Sequence, residues 1–178
     1  MIMKDKAILN RFLLVVGIMI LFAILRVVIK LPNVSPVAAI ALFGGTLIFR
    51  RSWAILLPLA ILFLSDALIG FYSIYLMLFV YAAFALIAVL GFWLRNHLKF
   101  HNVIIASLAS SVIFYLVSNF GVWIEGLWYP MTFTGLIECY TLALPFFRYE
   151  ILGTLGFSIL FFGIYQFSTS NIKAFKTA

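Results

Sequence analysis

Long apolar runs divided by short polar breaks organise the chain, and within the runs hydrophobic and polar residues do not alternate with a period of two. The runs predict helices over about 12–29, 36–49, 53–69, 74–94, 103–117 and 149–167. A bilayer-spanning helix needs about 20 apolar residues, and the second run falls short of that length. The breaks carry turn chemistry: two prolines in LPNVSP (31–36), Arg50-Arg51, Gly70 to Ser73, and RNHLKFHN (95–102). The stretch 118–148 has a different texture. It gathers Trp123, Trp128, Tyr129, Glu125, Glu138, Cys139, Pro130 and Pro145, and TFTGLIECYTLAL (132–144) within it is too short to span. It is expected to form a half-helix or re-entrant segment, capped by Thr132 or Thr134. Backbone of that kind survives at membrane depth only where protein or a water-filled cavity shields it. The expected fold is an all-α integral membrane protein, a single transmembrane domain over 1–178. It has six transmembrane helices and a broken outer cap between the fifth and sixth.

Composition agrees. The chain is 66% hydrophobic and 10% charged, against roughly 25% charged in soluble domains. A β-barrel would show alternation in segments of about ten residues, and none is present. The first run follows basic residues but ends in Arg26, Lys30 and Pro32 without a small-residue cleavage site, so it is expected to be retained as a helix. One cysteine excludes an internal disulfide.

The net charge of +7 is a matter of topology. Lys4, Lys6, Arg11, Arg50, Arg51, Arg95, Lys99, Lys173 and Lys176 fall on one side of the predicted bundle with Asp5 alone against them. Asp66, Glu125, Glu138 and Glu150 fall on the other, with Arg26, Lys30 and Arg148. The positive-inside rule therefore places both termini in the cytoplasm. No nucleic-acid surface is needed to explain the basic excess.

Candidate chemistry concentrates on the outer side. Charge at membrane depth is costly and either pairs or faces a cavity. Arg26 and Asp66, at matching depth, are natural partners, either as a structural ion pair or facing a ligand. Asn119, Trp123, Trp128, Tyr129 and Glu138 form an outer cluster, open between an interfacial aromatic belt and a binding site. Cys139 is open between a small packing residue and a soft ligand. Arg148 is placed to bind an acidic solute or to answer Glu150 or Glu138. Enzymatic signatures are missing. There is no Gly-rich phosphate loop with its lysine and no G-x-S-x-G elbow, and His97 and His101 lack the carboxylate of a zinc-binding helix. No catalytic residue, metal site or cofactor is expected.

The segments NVSPVAAIALFGGTLIFR (33–50), PLAILFLSDALIGFY (58–72), SNFGVWIEGLWYP (118–130) and GLIECYTLALPFFRYEILGTLGF (135–157) resemble a bacterial group of small proteins catalogued as transport proteins. That group in turn resembles the substrate-binding S-components of energy-coupling-factor (ECF) vitamin transporters. The resemblance implies a six-helix fold, a solute pocket near the outer face, and the 31–36 loop as its lid with Asn33 and Ser35 at the mouth. It also implies an energising partner, a transmembrane coupling subunit with two ATPases. S-components often meet that subunit through A-x-x-x-A on helix one, which here has only Gly17 and Ala23 as small residues. Ala41-x-x-x-Gly45 and Ala106-x-x-x-Ser110 are the alternative pairing ridges. Solitary S-components related to cobalamin uptake place a cysteine on cobalt, a role the resemblance would give to Cys139.

The functional expectation is a transport protein of the bacterial cytoplasmic (inner) membrane that captures a small solute, a vitamin or related micronutrient, from outside. The alternative is a non-transporting membrane scaffold whose polar cluster is structural.

Overall fold

The computed structural model describes residues 2–28 and 34–175, so Lys30 and Asn33 lie outside the described residues. All of its regular structure there is helical: α1 (Ile2–Val28), α2 (Val37–Leu47), α3 (Arg51–Ile69), α4 (Ile74–Asn96), α5 (Phe100–Ile124), α6 (Phe133–Asn171) and a 3-10 turn, Lys173–Phe175. All but α2 are long and apolar enough to cross a membrane, which makes five such helices. Asn10 and Arg11, early in α1, donate to the carbonyls of Ala174 and Phe175 at 3.0 and 2.7 Å. The two ends of the chain therefore share one end of the bundle, called here the terminal end. The connections 70–73 and 125–132, and the one that closes with Val34–Pro36, lie at the opposite, loop end.

The bundle is built around its shortest member. Every residue of α2 from Val37 to Thr46 is buried, and all five long helices touch it. At 11 residues it is about 16 Å long, roughly half of a bilayer core. Close approach of backbones makes room for it. A Cβ placed on Gly45 would lie 2.2 Å from the Ala88 carbonyl oxygen, and one on Gly91 would lie 2.7 Å from Thr46 N. Phe22 of α1 and Phe43 of α2 meet Phe161 of α6 at ring distances of 4.5 and 5.6 Å, closing the other side. Outward-facing positions such as Leu13, Leu64, Leu78, Ile105 and Leu152 are exposed aliphatics, as expected of a surface whose solvent is lipid.

Arg95, near the end of α4, closes the foot of α2. Its guanidinium donates to the carbonyls of Thr46, Phe49, Gly45 and Ile48 at 3.0, 2.9, 2.7 and 2.6 Å. The last carbonyls of a helix have no partner within it, and a cation there also suits the helix dipole. Arg95→Met is expected to lower stability by about 2 kcal/mol or more, since charged hydrogen bonds are among the stronger ones. Arg95→Lys should recover only part of that, because an ammonium lacks the planar fork. Unfolding midpoints of the purified variants in detergent measure both.

Several expectations from the sequence need correcting. The fifth helix does not end at 117 but runs to Ile124, so Ser118 and Asn119 sit inside it. Gly126, at φ 70°, ends it instead. The half-helix or re-entrant segment expected at 132–144 is not there. α6 begins at Phe133, capped by Thr132 Oγ1 accepting from Gly135 N at 3.1 Å, and runs unbroken through Pro145 to Asn171. Pro145 removes one backbone donor, a loss that membrane helices tolerate because neighbouring groups satisfy the freed carbonyl. The cap at 118–148 therefore shrinks to residues 125–132. The ridges proposed for a partner are turned inward: Ala41, Ala106 and Ser110 are 0% exposed, and Gly45 faces Ala88. They join helices within this chain.

Candidate functional site

Because α2 begins partway down the bundle, the space above its first turn is not filled by helix. A partly open cavity of about 460 Å³ lies there, within the roughly 300–1,000 Å³ usual for small-molecule sites. Val37 and Ala38 of α2 line it, with Arg26 of α1, Ser35 before α2, and Tyr72 from the 70–73 connection. α4 contributes Leu76, Val80 and Phe84. Phe114, Tyr115, Ser118 and Asn119 form one face of α5, at i, i+1, i+4 and i+5. Ala143, Phe146, Phe147 and Glu150 form one face of α6, at i, i+3, i+4 and i+7.

Polar groups in the wall are held by hydrogen bonds. Tyr115 donates its hydroxyl to the Tyr140 carbonyl at 2.6 Å, Ser118 to that of Phe114 at 2.6 Å, and the Asn119 amide to that of Tyr115 at 2.8 Å. Glu150 accepts from Thr154 Oγ1 at 2.8 Å. Arg26 pairs with Asp66 at 2.8 Å and donates to the Ser65 hydroxyl. The second oxygen of Asp66 accepts from Tyr81 at 3.0 Å. Asp66 itself is 1% exposed, so it acts behind the wall by holding Arg26. Burial, with the Asp66 carboxylate adding to it, pushes the Tyr72 phenol up to about 12, which keeps it neutral at any ordinary pH.

Of the residues expected from the sequence, Ser35 and Asn119 line the cavity, and Asp66 supports it through Arg26. Asn33 lies outside the described residues. Trp123 donates its indole N–H to the Pro130 carbonyl at 3.1 Å and pins the 125–132 turn. Trp128 is 76% exposed, Tyr129 is half-buried in the same turn, and Glu138 is exposed. Arg148 donates to its neighbour Tyr149 at 2.9 Å and lies 4.7 Å from that ring, on the outside of α6. Cys139 is buried, and its thiol faces the Asn119 carbonyl at 3.4 Å. None of these last six lines the cavity. The wall instead includes Tyr72, Phe114, Tyr115, Phe147 and Glu150, which sequence reasoning did not select. For those on α5 and α6 the helical spacing of the lining was the available signal, hidden for α6 by the break expected at Pro145.

A larger groove of about 930 Å³ runs between α1 and α3 at the terminal end, lined by Ile8, Leu9, Phe12, Trp53, Leu57 and others. Its exposed apolar walls suit acyl chains more than a polar solute.

Fold and site together define a multi-pass α-helical membrane protein with a mixed polar and aromatic cavity at one end. Over residues 6–175 the chain matches DUF6580, a family of unknown function, and it belongs to that family. No curated protein and no solved structure matches it.

Proposed function

We propose that this chain is the solute-binding, S-component-like subunit of a membrane transporter, taking a vitamin-sized micronutrient from outside the bacterial inner membrane. One observation carries the reading: a cavity of about 460 Å³ at the loop end, walled by Arg26, Ser35, Tyr72, Asn119 and Glu150 among aromatic rings. A scaffold would gain nothing from leaving such groups unfilled, since a void forfeits packing contacts. The charge distribution supports the orientation. Arg11, Arg50, Arg51, Arg95 and Lys99 cluster toward the terminal end, which the positive-inside rule puts in the cytoplasm. The cavity then faces outward. In this reading an energising partner, a coupling subunit with ATPases, docks on an exposed helix face.

Native mass spectrometry of gently purified protein tests this. A small molecule should leave with the wild-type chain, and Tyr115→Ala or Asn119→Ala should lower its occupancy about tenfold or more, the effect of losing one good polar contact or ring face. Size-exclusion profiles should stay unchanged. An empty wild-type protein, with both variants indistinguishable from it in an uptake assay, would leave the scaffold reading standing.

A further inference from the structure

The side chains that α5 and α6 bring to the loop-end cavity offer more acceptors than donors. Tyr115, Ser118 and Asn119 each direct a hydrogen to a backbone carbonyl. A carbonyl only accepts, so these donors are fixed, and lone pairs are what the two hydroxyls retain. The same argument orients the Asn119 amide: its nitrogen faces the Tyr115 carbonyl with one of its two N–H groups committed, and its Oδ1 is left to accept. Glu150 adds a carboxylate met by a single neutral donor, Thr154, and by no ion pair among the described residues. A carboxylate away from water is costly unless a cation or several donors answer it.

Positive charge in the wall is already answered. Arg26 is held by Asp66 at 2.8 Å, so that pair adds no net charge. The first turn of α2 contributes a partial charge of about +0.5, less than the unit charge that Glu150 carries as a carboxylate. The α5 and α6 side of the cavity is therefore rich in acceptors, and with Glu150 as a carboxylate the balance at the described residues is negative. Flat apolar surface stands beside it: Phe84 and Phe114 stack at 5.1 Å, and Phe147 lies against Tyr115 at 4.5 Å.

We propose that the cavity takes a small organic cation, a protonated amine or amidine. Its N–H groups bridge the Glu150 carboxylate and Asn119 Oδ1, and its apolar body rests on Phe114 and Phe147. This rests on the solute-binding reading above and names the substrate class. Bidentate N–H to carboxylate contacts and cation–ring contacts both favour such a ligand over a neutral or anionic one of equal shape.

Three probes of matched shape test it on the full chain in detergent: benzamidine, benzamide and benzoate, read by ligand-induced shift of the unfolding midpoint and by titration calorimetry. In the wild type, benzamidine should bind about tenfold or more tighter than benzamide, the equivalent of one charge-assisted hydrogen bond, with benzoate weakest. Glu150→Gln should remove the advantage of benzamidine over benzamide while leaving benzamide binding within about twofold. Glu150→Asp should keep the order. If Glu150→Gln does not fold, the wild-type order and the Glu150→Asp result decide alone. Equal binding of benzamidine and benzamide, a preference for benzoate, an undiminished benzamidine advantage in Glu150→Gln, or no binding of any probe overturns the cation assignment. A neutral or acidic molecule found with the wild-type protein by native mass spectrometry also overturns it, yet leaves the solute-binding reading intact. That reading falls only if the protein is empty and the Tyr115 and Asn119 variants are silent.

Discussion

Arg26→Met and Asp66→Ala will each cost about 3–5 kcal/mol of stability, the penalty for leaving one member of a buried ion pair without the other. The geometry gives the reason. Asp66 is 1% exposed, and it places one oxygen 2.8 Å from Arg26 and the other 3.0 Å from the Tyr81 hydroxyl. Without Arg26 a neutral phenol is what answers the carboxylate among the described residues. Without Asp66 the guanidinium keeps the Ser65 hydroxyl and loses its counter-charge at membrane depth, where charge is expensive. The double variant Arg26→Met/Asp66→Leu should recover most of the loss, because well-packed apolar replacements of buried pairs are often near neutral. Unfolding midpoints in detergent give the double-mutant cycle. If the double variant is as unstable as the worse single one, the pair is not what holds α1 to α3. Loss of solute in Asp66→Asn is then read only after folding is checked, since the carboxylate lies behind the cavity wall.

Gly45→Leu will prevent the bundle from forming. A Cβ at this position would sit 2.2 Å from the Ala88 carbonyl oxygen and 2.9 Å from its Cα. Both are backbone atoms, so no side chain can turn aside. Even Gly45→Ala forces α2 and α4 apart and should cost about 1–3 kcal/mol, the usual range for overpacking, and more for the larger residue. Gly91→Ala, whose Cβ would meet Gly45 C and Thr46 N at 2.7 Å, should behave alike. Gly156 and Gly163, also helical but with nothing within 4 Å of an added Cβ, are the controls. Alanine there should be neutral or gain a few tenths of a kcal/mol from reduced backbone entropy in the unfolded chain. Monodisperse yield by size exclusion separates the two groups. Equal yields for Gly45→Leu and Gly163→Ala would show that the two helices do not cross at Gly45.

The helical class was legible in the sequence because apolar runs of that length have few other solutions. The Arg26–Asp66 contact was legible from depth alone, since two opposite charges inside a bilayer have strong reason to meet. The cavity was not. In water a helix shows which side faces inward by its stripe of apolar residues. Here the outer faces are apolar too, as Leu64, Leu78 and Leu152 show, so the stripe is erased. Two local features misled further. Pro145 reads as a stop in ordinary helices, yet α6 continues through it. That reading placed Phe146 and Phe147 off any helix and separated Ala143, on the expected half-helix, from Glu150. Trp128, Tyr129 and Arg148 drew attention as large polar-edged groups, and the fold places these three away from the cavity. Tyr115 and Ser118 form a plainer pattern on α5, and it is they that line the cavity.

The eleven residues of α2 bear on how the protein reaches its membrane. A segment of that length cannot integrate alone, because its ends would strand unsatisfied amides and carbonyls in hydrocarbon. It has to be delivered together with α3, and it stays unsealed until Arg95, synthesised some fifty residues later, arrives to cover its last carbonyls. Until then the nascent chain holds a half-length helix that lipid cannot shield. A pause or a membrane chaperone acting between α3 and α4 would therefore matter more for this protein than for one whose helices all span unaided.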